Sequence, residues 1–140
     1  ILKEMKERMK KVSSFSSENI VATVIDDICK SRQYGMLSFK FNYPLRKIIS
    51  PDTIKDNEDR NFILSPGTHC DFVIFDDLNK RIQLIVEVDG KQHEKEIQKK
   101  RDQRKDRIIN FFAIDMLRIK TTDVNVKEKI ESILSSKKCV

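Results

Sequence analysis

Two apolar segments separated by a short polar one limit the fold of this chain more than any other feature. They are Cys70–Phe75 and Arg81–Asp89, and the segment between them, Asp76–Lys80, is mostly polar. Short apolar runs bounded by turn residues are typical of β-strands, and nearly continuous apolar character is typical of strands covered on both faces. The sequence therefore predicts a β-hairpin in the middle of a sheet, with further elements packed on each side.

Helix and strand patterns on either side of the hairpin predict an α/β fold. Apolar residues with the helical period of 3.6 predict helices, and alternating or short apolar runs predict strands. The helices are expected at 17–31, 94–112 and 124–137, and the further strands at 37–43 and 113–119. The resulting order is α-β-β-β-α-β followed by a C-terminal helix.

The remaining segments complete a single domain. Residues 1–12 have an amphipathic helical pattern, and residues 50–66, which are bracketed by prolines and poor in apolar side chains, are expected to be irregular. We expect one domain over 1–140 with its core at 17–137, because the length suits one hydrophobic core. Since the chain begins at Ile1 without Met, we expect it to be part of a longer protein with further domains or protein partners.

The composition of the chain indicates which kind of binding partner and which cellular compartment to expect. The chain has 28 Lys and Arg against 22 Asp and Glu, a net charge of +6 that favours polyanionic partners. No apolar run is long enough to cross a membrane, and no signal peptide is recognisable. Cys29, Cys70 and Cys139 form no close pair and no zinc-finger spacing, which favours a reducing, cytoplasmic location.

Three acidic residues are expected to meet at one end of the hairpin. Asp71 and Glu87 are equally distant from Asn79 at the middle of the turn, so they should lie opposite each other, and Asp89 should share the face of Glu87. Two carboxylates about 4 Å apart repel by about 4 kcal/mol at an effective dielectric constant of about 20. Each acid alone is commonly a turn or cap residue, but a cluster of oxygen donors predicts a hard cation, Mg²⁺ or Mn²⁺.

Two more residues are candidates for the same site. Glu18 projects from the apolar face of the first helix, although it could instead interact with the helix dipole. His93 follows the acidic cluster by a few residues, although an isolated histidine is more often a surface or packing residue. Both are retained as candidate catalytic residues.

The helix after the hairpin should direct a lysine toward the acids. One stripe on this helix changes from polar to apolar along its length, and its apolar end must pack on the sheet. The stripe contains Gln98, Asp102, Lys105, Ile109 and Phe112. Other faces carry basic residues that form either a solvated surface or a track for phosphates, namely Lys95, Lys99, Lys100, Arg101, Arg104 and Arg107.

These residues resemble the PD-(D/E)XK nuclease superfamily over most of the chain. Asp71 and Glu87 look like its signature carboxylates and Glu18 like its accessory acid. The strings 87–93, 102–106 and 117–119 further resemble small domains related to very-short-patch repair endonucleases. The resemblance implies a restriction-endonuclease-like fold, in which helices flank a mixed central sheet.

The resemblance also implies a reaction, the hydrolysis of DNA phosphodiesters with Mg²⁺ or Mn²⁺. Asp71 and Glu87 would bind the cation together with the Val88 carbonyl, and Glu18 or Asp89 would complete the ligands or hold a second ion. The chain departs from the family pattern because Cys70 replaces the proline and Asp89 replaces the signature lysine. The missing positive charge could come from Lys105, His93 or Lys91. The residues expected to contact nucleic acid are Lys91, Gln92, Lys95, Lys99, Arg101 and Arg104.

Two alternatives remain at the level of sequence. The absent signature lysine favours a catalytically silent module that binds nucleic acid or docks on a protein and retains the fold. A nuclease that cleaves RNA would use the same chemistry on a different substrate.

Overall fold

The computed structural model describes residues 16–90 and 95–138. The amphipathic helix expected at 1–12 lies outside these residues, as do Lys91, Gln92, His93 and Cys139. The described part contains four helices, α1 Ser16–Lys30, α2 Asn57–Leu64, α3 Glu96–Phe111 and α4 Val126–Lys138, and two short 3₁₀ turns, Leu45–Lys47 and Pro51–Thr53. Its four strands are β1 Leu37–Pro44, β2 His69–Asp76, β3 Ile82–Asp89 and β4 Met116–Lys120.

The four strands form one mixed sheet in the order β1-β2-β3-β4. β1 pairs antiparallel with β2, and β2 pairs antiparallel with β3, which makes the predicted hairpin the centre of the sheet. β4 pairs parallel with β3 after the chain has crossed over through α3. The α/β class is thus confirmed, and the predicted helices and strands follow one another in the predicted order, with a further helix, α2, between β1 and β2.

Apolar clusters cover both faces of the hairpin. On one face, Phe72 and Val86 pack with α1 and α4. On the other face, Val73 and Ile85 pack with α3 and with the segment between β1 and β2. This double coverage explains why β2 and β3 are apolar in nearly every position. A charged side chain on either strand must therefore find a partner within the fold.

The prediction that 50–66 is irregular is wrong in part, because α2 lies within this segment. The Asp56 side chain accepts a hydrogen bond from the Asp59 N–H at 2.9 Å and so caps the helix. The helix buries Ile63 completely. A helix this short has too few apolar residues to show a period, so its cap and its tertiary packing decide the structure.

The strand predicted at 113–119 begins later than expected, at Met116. Ala113 has a φ of 57°, which places a left-handed turn between α3 and β4. No helix within 16–90 and 95–138 has the length and apolar character that a bilayer span requires.

Candidate active site

Asp71 and Glu87 lie at the end of the hairpin that is remote from its turn. The paired residues of β2 and β3 include Phe72 opposite Val86, and one further step in this register places Asp71 opposite Glu87. The predicted juxtaposition of the two acids is therefore confirmed. We call Asp71 and Glu87 the acid pair.

Each carboxylate of the acid pair bonds to the main chain of the opposite strand. The Asp71 N–H donates to Glu87 Oε2 at 2.7 Å, and the Val88 N–H donates to Asp71 Oδ2 at 2.8 Å. Such bonds to an ionised acceptor are stronger than those between neutral groups. The acid pair thus closes this end of the hairpin with side-chain hydrogen bonds.

Lys105 reaches the acid pair from α3. Its Nζ donates to Glu87 Oε1 at 2.6 Å and to the His69 carbonyl oxygen at 2.8 Å. The Glu87 residue is only 2% exposed, so the lysine supplies the charge partner that a buried carboxylate requires. The stripe on α3 correctly predicted that Lys105 points toward the acids.

Burial and charge determine the protonation of these groups. Burial raises the pKa of Glu87 to about 7, because the effects of burial and of Asp71 exceed the opposing effect of Lys105. Burial also raises the pKa of Asp71, against the stabilising hydrogen bond from Val88. Burial alone would lower the pKa of Lys105, but the Glu87 carboxylate outweighs it and the pKa is raised. Lys105 is therefore an ammonium at neutral pH, while Glu87 is close to titration.

Glu18 approaches the acid pair from α1. Burial is the largest cause of the raised pKa of Asp71, and the negative charge of Glu18 raises this pKa further. The structure thus places Glu18 near Asp71, as its position on the apolar face of the helix predicts. Within the described ranges, no hydrogen bond or ion pair holds the Glu18 carboxylate.

Asp89 belongs to a second group of charges centred on Arg118. Arg118 lies opposite Glu87 in the parallel register of β3 and β4, and its Nη1 donates to Asp89 Oδ1 at 2.8 Å. Its Nε donates to Asp106 Oδ2 at 3.0 Å, and its Nη2 lies 3.9 Å from Asp102 Oδ1. Asp89, which was expected to complete the metal ligands or hold a second ion as an alternative to Glu18, is thus paired with Arg118 in this structure.

Sequence reasoning did not identify Arg118 as a site residue, although a signal was present. Arg118 interrupts the apolar run of β4, between Leu117 and Ile119, just as Glu87 interrupts the apolar run of β3. A charge inside a buried strand requires a partner, and the parallel pairing of the two strands brings these charges to the same level of the sheet.

The basic residues of α3 divide into two groups. Lys95, Lys99 and Lys100 are exposed and have no ion pair among the described residues. Arg104 and Arg107 instead bind Asp59 of α2, Arg104 at 3.3 Å and Arg107 at 2.7 Å. The hydrogen bond from Arg107 holds the pKa of Asp59 below its usual value. These two arginines attach α3 to α2, so the assignment of Arg104 to nucleic-acid contact is not supported by its position.

Arg101 also interacts with α2, because its guanidinium lies 5.6 Å from the centre of the Phe62 ring. Of the basic residues predicted to contact nucleic acid, Lys95, Lys99 and Arg101 are exposed on the described surface. Lys91 and Gln92 lie outside the described residues.

The residues that could hold a hard divalent cation are the two carboxylates of the acid pair. No group of three or more His, Cys, Asp or Glu side chains within 16–90 and 95–138 is arranged to hold a metal ion. The acid pair nevertheless consists of hard oxygen donors, and the raised pKa values of both carboxyls show that burial opposes their charge. A cation would relieve that cost, with Val88, Glu18 or water supplying further oxygen ligands.

Comparison with known proteins places the chain in a family. No curated protein and no solved structure matches it. The model of one family, described as a protein of unknown function (DUF2726), matches residues 41–137. This segment includes the acid pair, Lys105 and Arg118, whereas Glu18 lies before it. The match covers more than half of the chain, and the protein therefore belongs to the DUF2726 family.

Proposed function

We propose that this protein is a nuclease that hydrolyses phosphodiester bonds, with DNA as the preferred substrate and Mg²⁺ or Mn²⁺ as cofactor. One observation carries the proposal: Lys105 Nζ lies 2.6 Å from Glu87 Oε1, directly beside Asp71. Two carboxylates and a lysine are the groups that the resemblance to the PD-(D/E)XK superfamily requires. In this chain the lysine comes from α3, while Asp89 stands at the position of the signature lysine.

The cation site would consist of the acid pair, with the Val88 carbonyl as a further ligand and Glu18 close by. A cation bound there would polarise the scissile phosphate and lower the pKa of an attacking water. The hydrogen bonds from the Asp71 and Val88 N–H groups hold the two carboxylates in fixed orientations before substrate arrives. Such preorganisation reduces the reorganisation needed during the reaction.

Lys105 would act as a fixed positive charge. Its raised pKa means that it does not accept a proton from water at neutral pH. Two of its three N–H groups are engaged by Glu87 and His69, which leaves one to donate to the attacking water or to a phosphate oxygen. His93, four residues after Asp89 in the sequence, is proposed to orient the water.

The cysteines favour a reducing environment for the proposed activity. Cys29 and Cys70 carry free thiols, which are typical of proteins in reducing compartments. Burial raises the pKa of both thiols, so neither is a reactive thiolate. We propose a cytoplasmic location for the activity.

A catalytically silent binding module is the second candidate, and one specific observation favours it. Both oxygens of Glu87 already accept hydrogen bonds within the protein. A carboxylate that is fully engaged can serve the fold alone. In that case Lys105 and Glu87 would be a structural ion pair, and added cation would have no effect.

Cleavage assays separate these candidates. The purified protein should be incubated with single-stranded, double-stranded and branched DNA and with RNA, each in Mn²⁺, Mg²⁺ or EDTA. We expect cation-dependent cleavage that is lost in Asp71→Asn and Glu87→Gln. Glu128→Gln is the matched control, because Glu128 is exposed on α4.

The outcomes of these assays differ for each candidate. Cleavage of DNA in the wild type and in the control, but in neither site variant, would support the proposal. Cleavage of RNA alone would support the RNA-specific alternative. Absence of cleavage on every substrate in both metals would favour the silent module, and near wild-type cleavage by Asp71→Asn would refute the site.

A further inference from the structure

Three lysines near the edge strand β1 share two aromatic rings. Lys40 Nζ is 5.8 Å from the centre of the Phe75 ring and 5.5 Å from the centre of the Tyr43 ring. Lys80 lies over the same Phe75 ring at 5.9 Å, and Lys47 over the same Tyr43 ring at 5.8 Å. We call Lys80, Lys40 and Lys47 the lysine row.

The lysine row differs from several other basic side chains of the fold in its lack of ion pairs with described residues. Its three lysines are exposed, and none of them forms an ion pair with a described residue. By contrast, Lys105, Arg104, Arg107 and Arg118 are all paired with carboxylates. Each of the two rings thus has the ammonium groups of two lysines within 5.9 Å of its centre, and a polyanion passing the rings would be attracted by both.

The lysine row leads toward the acid pair. Lys40 is paired with Val73 across β1 and β2, and Tyr43, whose ring Lys40 and Lys47 share, is paired with Cys70, the residue before Asp71. The row therefore follows the edge strand β1 from the level of Phe75 to the level of Asp71. Val73 itself is buried, so a strand of phosphates would follow the exposed edge of β1 to the end of the hairpin that carries the acid pair.

The local backbone leaves this surface accessible. β1 is an edge strand of the sheet, and Lys40, Phe41 and Asn42 are exposed. Asn42 has a φ of 48°, which breaks the regular pairing beside Asp71. The edge of the sheet is thus both basic and open where it approaches the site.

We propose that the lysine row binds the phosphate backbone of a nucleic acid and guides it to the acid pair. Binding rests on charge complementarity between three unpaired lysines and a regularly charged polyanion. Only the delivery to the acid pair rests on the proposed nuclease function. The two aromatic rings position the lysines, so they contribute to affinity indirectly.

Binding in EDTA tests the lysine row without any need for cleavage. The triple variant Lys40→Gln, Lys47→Gln, Lys80→Gln should be compared with the wild type on a short labelled oligothymidine over a range of salt concentrations. Each lysine removed should decrease the slope of log K against log salt by about 0.7. We expect affinity to fall roughly tenfold or more.

A second triple variant controls for net charge. Lys127→Gln, Lys129→Gln and Lys137→Gln remove the same charge from α4, where these lysines pair with Asp27, Asp123 and Asp115. This control should retain most of the affinity and the salt slope. Equal losses in the two triple variants would overturn the proposal, because net charge alone would then explain the binding.

The aromatic rings and an alternative partner complete the test. Phe75→Leu retains every charge and should weaken binding by roughly two- to fivefold if the ring positions Lys40 and Lys80. Vesicles containing phosphatidylserine test an anionic membrane as the partner. Loss of vesicle binding in the lysine-row variant, with unchanged binding of oligothymidine, would overturn the proposal.

The binding test and the cleavage test fail independently. If the wild type binds oligothymidine through the lysine row but cleaves nothing in Mn²⁺, the lysine row stands and the nuclease proposal fails. If cleavage occurs and the lysine-row variant binds as the wild type does, the nuclease stands and the lysine row fails.

Discussion

The guanidinium of Arg118 donates a hydrogen bond to Asp89 Oδ1 at 2.8 Å, across the parallel pair β3 and β4. Arg118 also binds Asp106, so one guanidinium on the neighbouring strand neutralises two carboxylates. This arrangement makes Arg118 a determinant of stability at the edge of the site.

Removal of the Arg118 charge should destabilise the protein. Arg118→Met leaves Asp89 and Asp106 without their shared partner, and we expect the free energy of unfolding to fall by about 1.5–3 kcal/mol. Arg118→Lys should lose less. Urea denaturation measures both, with Lys129→Met as the control for a surface pair, which should cost under about 1 kcal/mol. Equal costs for Arg118→Met and Lys129→Met would contradict this prediction.

Stability of the cation-free protein should fall as pH rises from about 4.5 to about 7. The pKa of Glu87 is raised from 4.5 to about 7, so the folded protein binds more protons than the unfolded chain in this range. The stabilisation that protonated Glu87 contributes is complete below pH 4.5 and is lost as pH rises through 7. The free energy of unfolding should fall by an amount on the order of 1–3 kcal/mol over this range. Urea denaturation in EDTA at several pH values should show this slope.

Glu87→Gln provides the comparison for that pH dependence. Gln does not titrate, so the decrease between pH 4.5 and 7 should become smaller in this variant. Asp59, whose pKa is lowered, contributes stability that is lost only as pH falls below its usual value of 3.8. The effect of Asp59 therefore lies outside the range between pH 4.5 and 7. An unchanged slope in Glu87→Gln would show that Glu87 does not cause the pH dependence.

Divalent cations should raise the melting temperature of the wild type. A cation that binds only the folded state adds about 2.7 kcal/mol at a hundredfold excess over its Kd, which corresponds to several degrees for a domain of this size. The increase should be greater at pH 8 than at pH 6, because the carboxyls must lose their protons to bind a cation.

Variants of the acid pair should lose this response to cations. Asp71→Asn keeps an oxygen that can accept from the Val88 N–H, so it should fold and yet respond little to Mn²⁺ or Mg²⁺. Glu128→Gln should respond as the wild type does. A wild type whose melting temperature is unaffected by millimolar Mn²⁺ at pH 8 would contradict a cation site at the acid pair.

Lys105 and Lys99 should differ in the step that they affect. Lys105→Met removes the ammonium beside the acid pair and should lower kcat by about a hundredfold or more at saturating substrate. Lys99 is exposed, so Lys99→Met should weaken binding and reduce its salt dependence with little change in kcat. Similar decreases of kcat in the two variants would show that Lys105 has no specific role in the chemical step.

The fold of the Lys105 variants needs a separate check. Loss of one partner of a buried ion pair can cost about 3–5 kcal/mol. At pH 6 Glu87 is largely protonated, which reduces that cost, so denaturation should be measured at this pH as well. Lys105→Arg retains the charge and should be more stable than Lys105→Met.

The hairpin and its acids could be predicted because local rules determine them. Strand length, the position of the turn and the alternation of side chains were enough to place Asp71 opposite Glu87. The periodicity of α3 was enough to direct Lys105 toward them. These inferences needed only one antiparallel pair and one helix packed on it.

Features that depend on contacts distant in sequence were missed. α2 is too short to show a period, and its arginine contacts come from α3, far along the chain. The ion pair of Arg104 with Asp59 could therefore not be predicted from the pattern of α3 alone. Arg118 was overlooked because its role depends on the pairing of β4 with β3, which a sequence pattern does not specify.

The hydrogen bonds that cross between β2 and β3 make the acid pair part of the scaffold as well as of the proposed chemistry. A gene copy that had stopped cleaving nucleic acid would still be under selection to keep both carboxylates, because the hairpin end depends on them. The presence of the acid pair in a related protein would therefore be a poor indication that this protein has the proposed nuclease activity. Glu18 makes no hydrogen bond among the described residues, so its early loss would be the clearer sign of an inactive lineage.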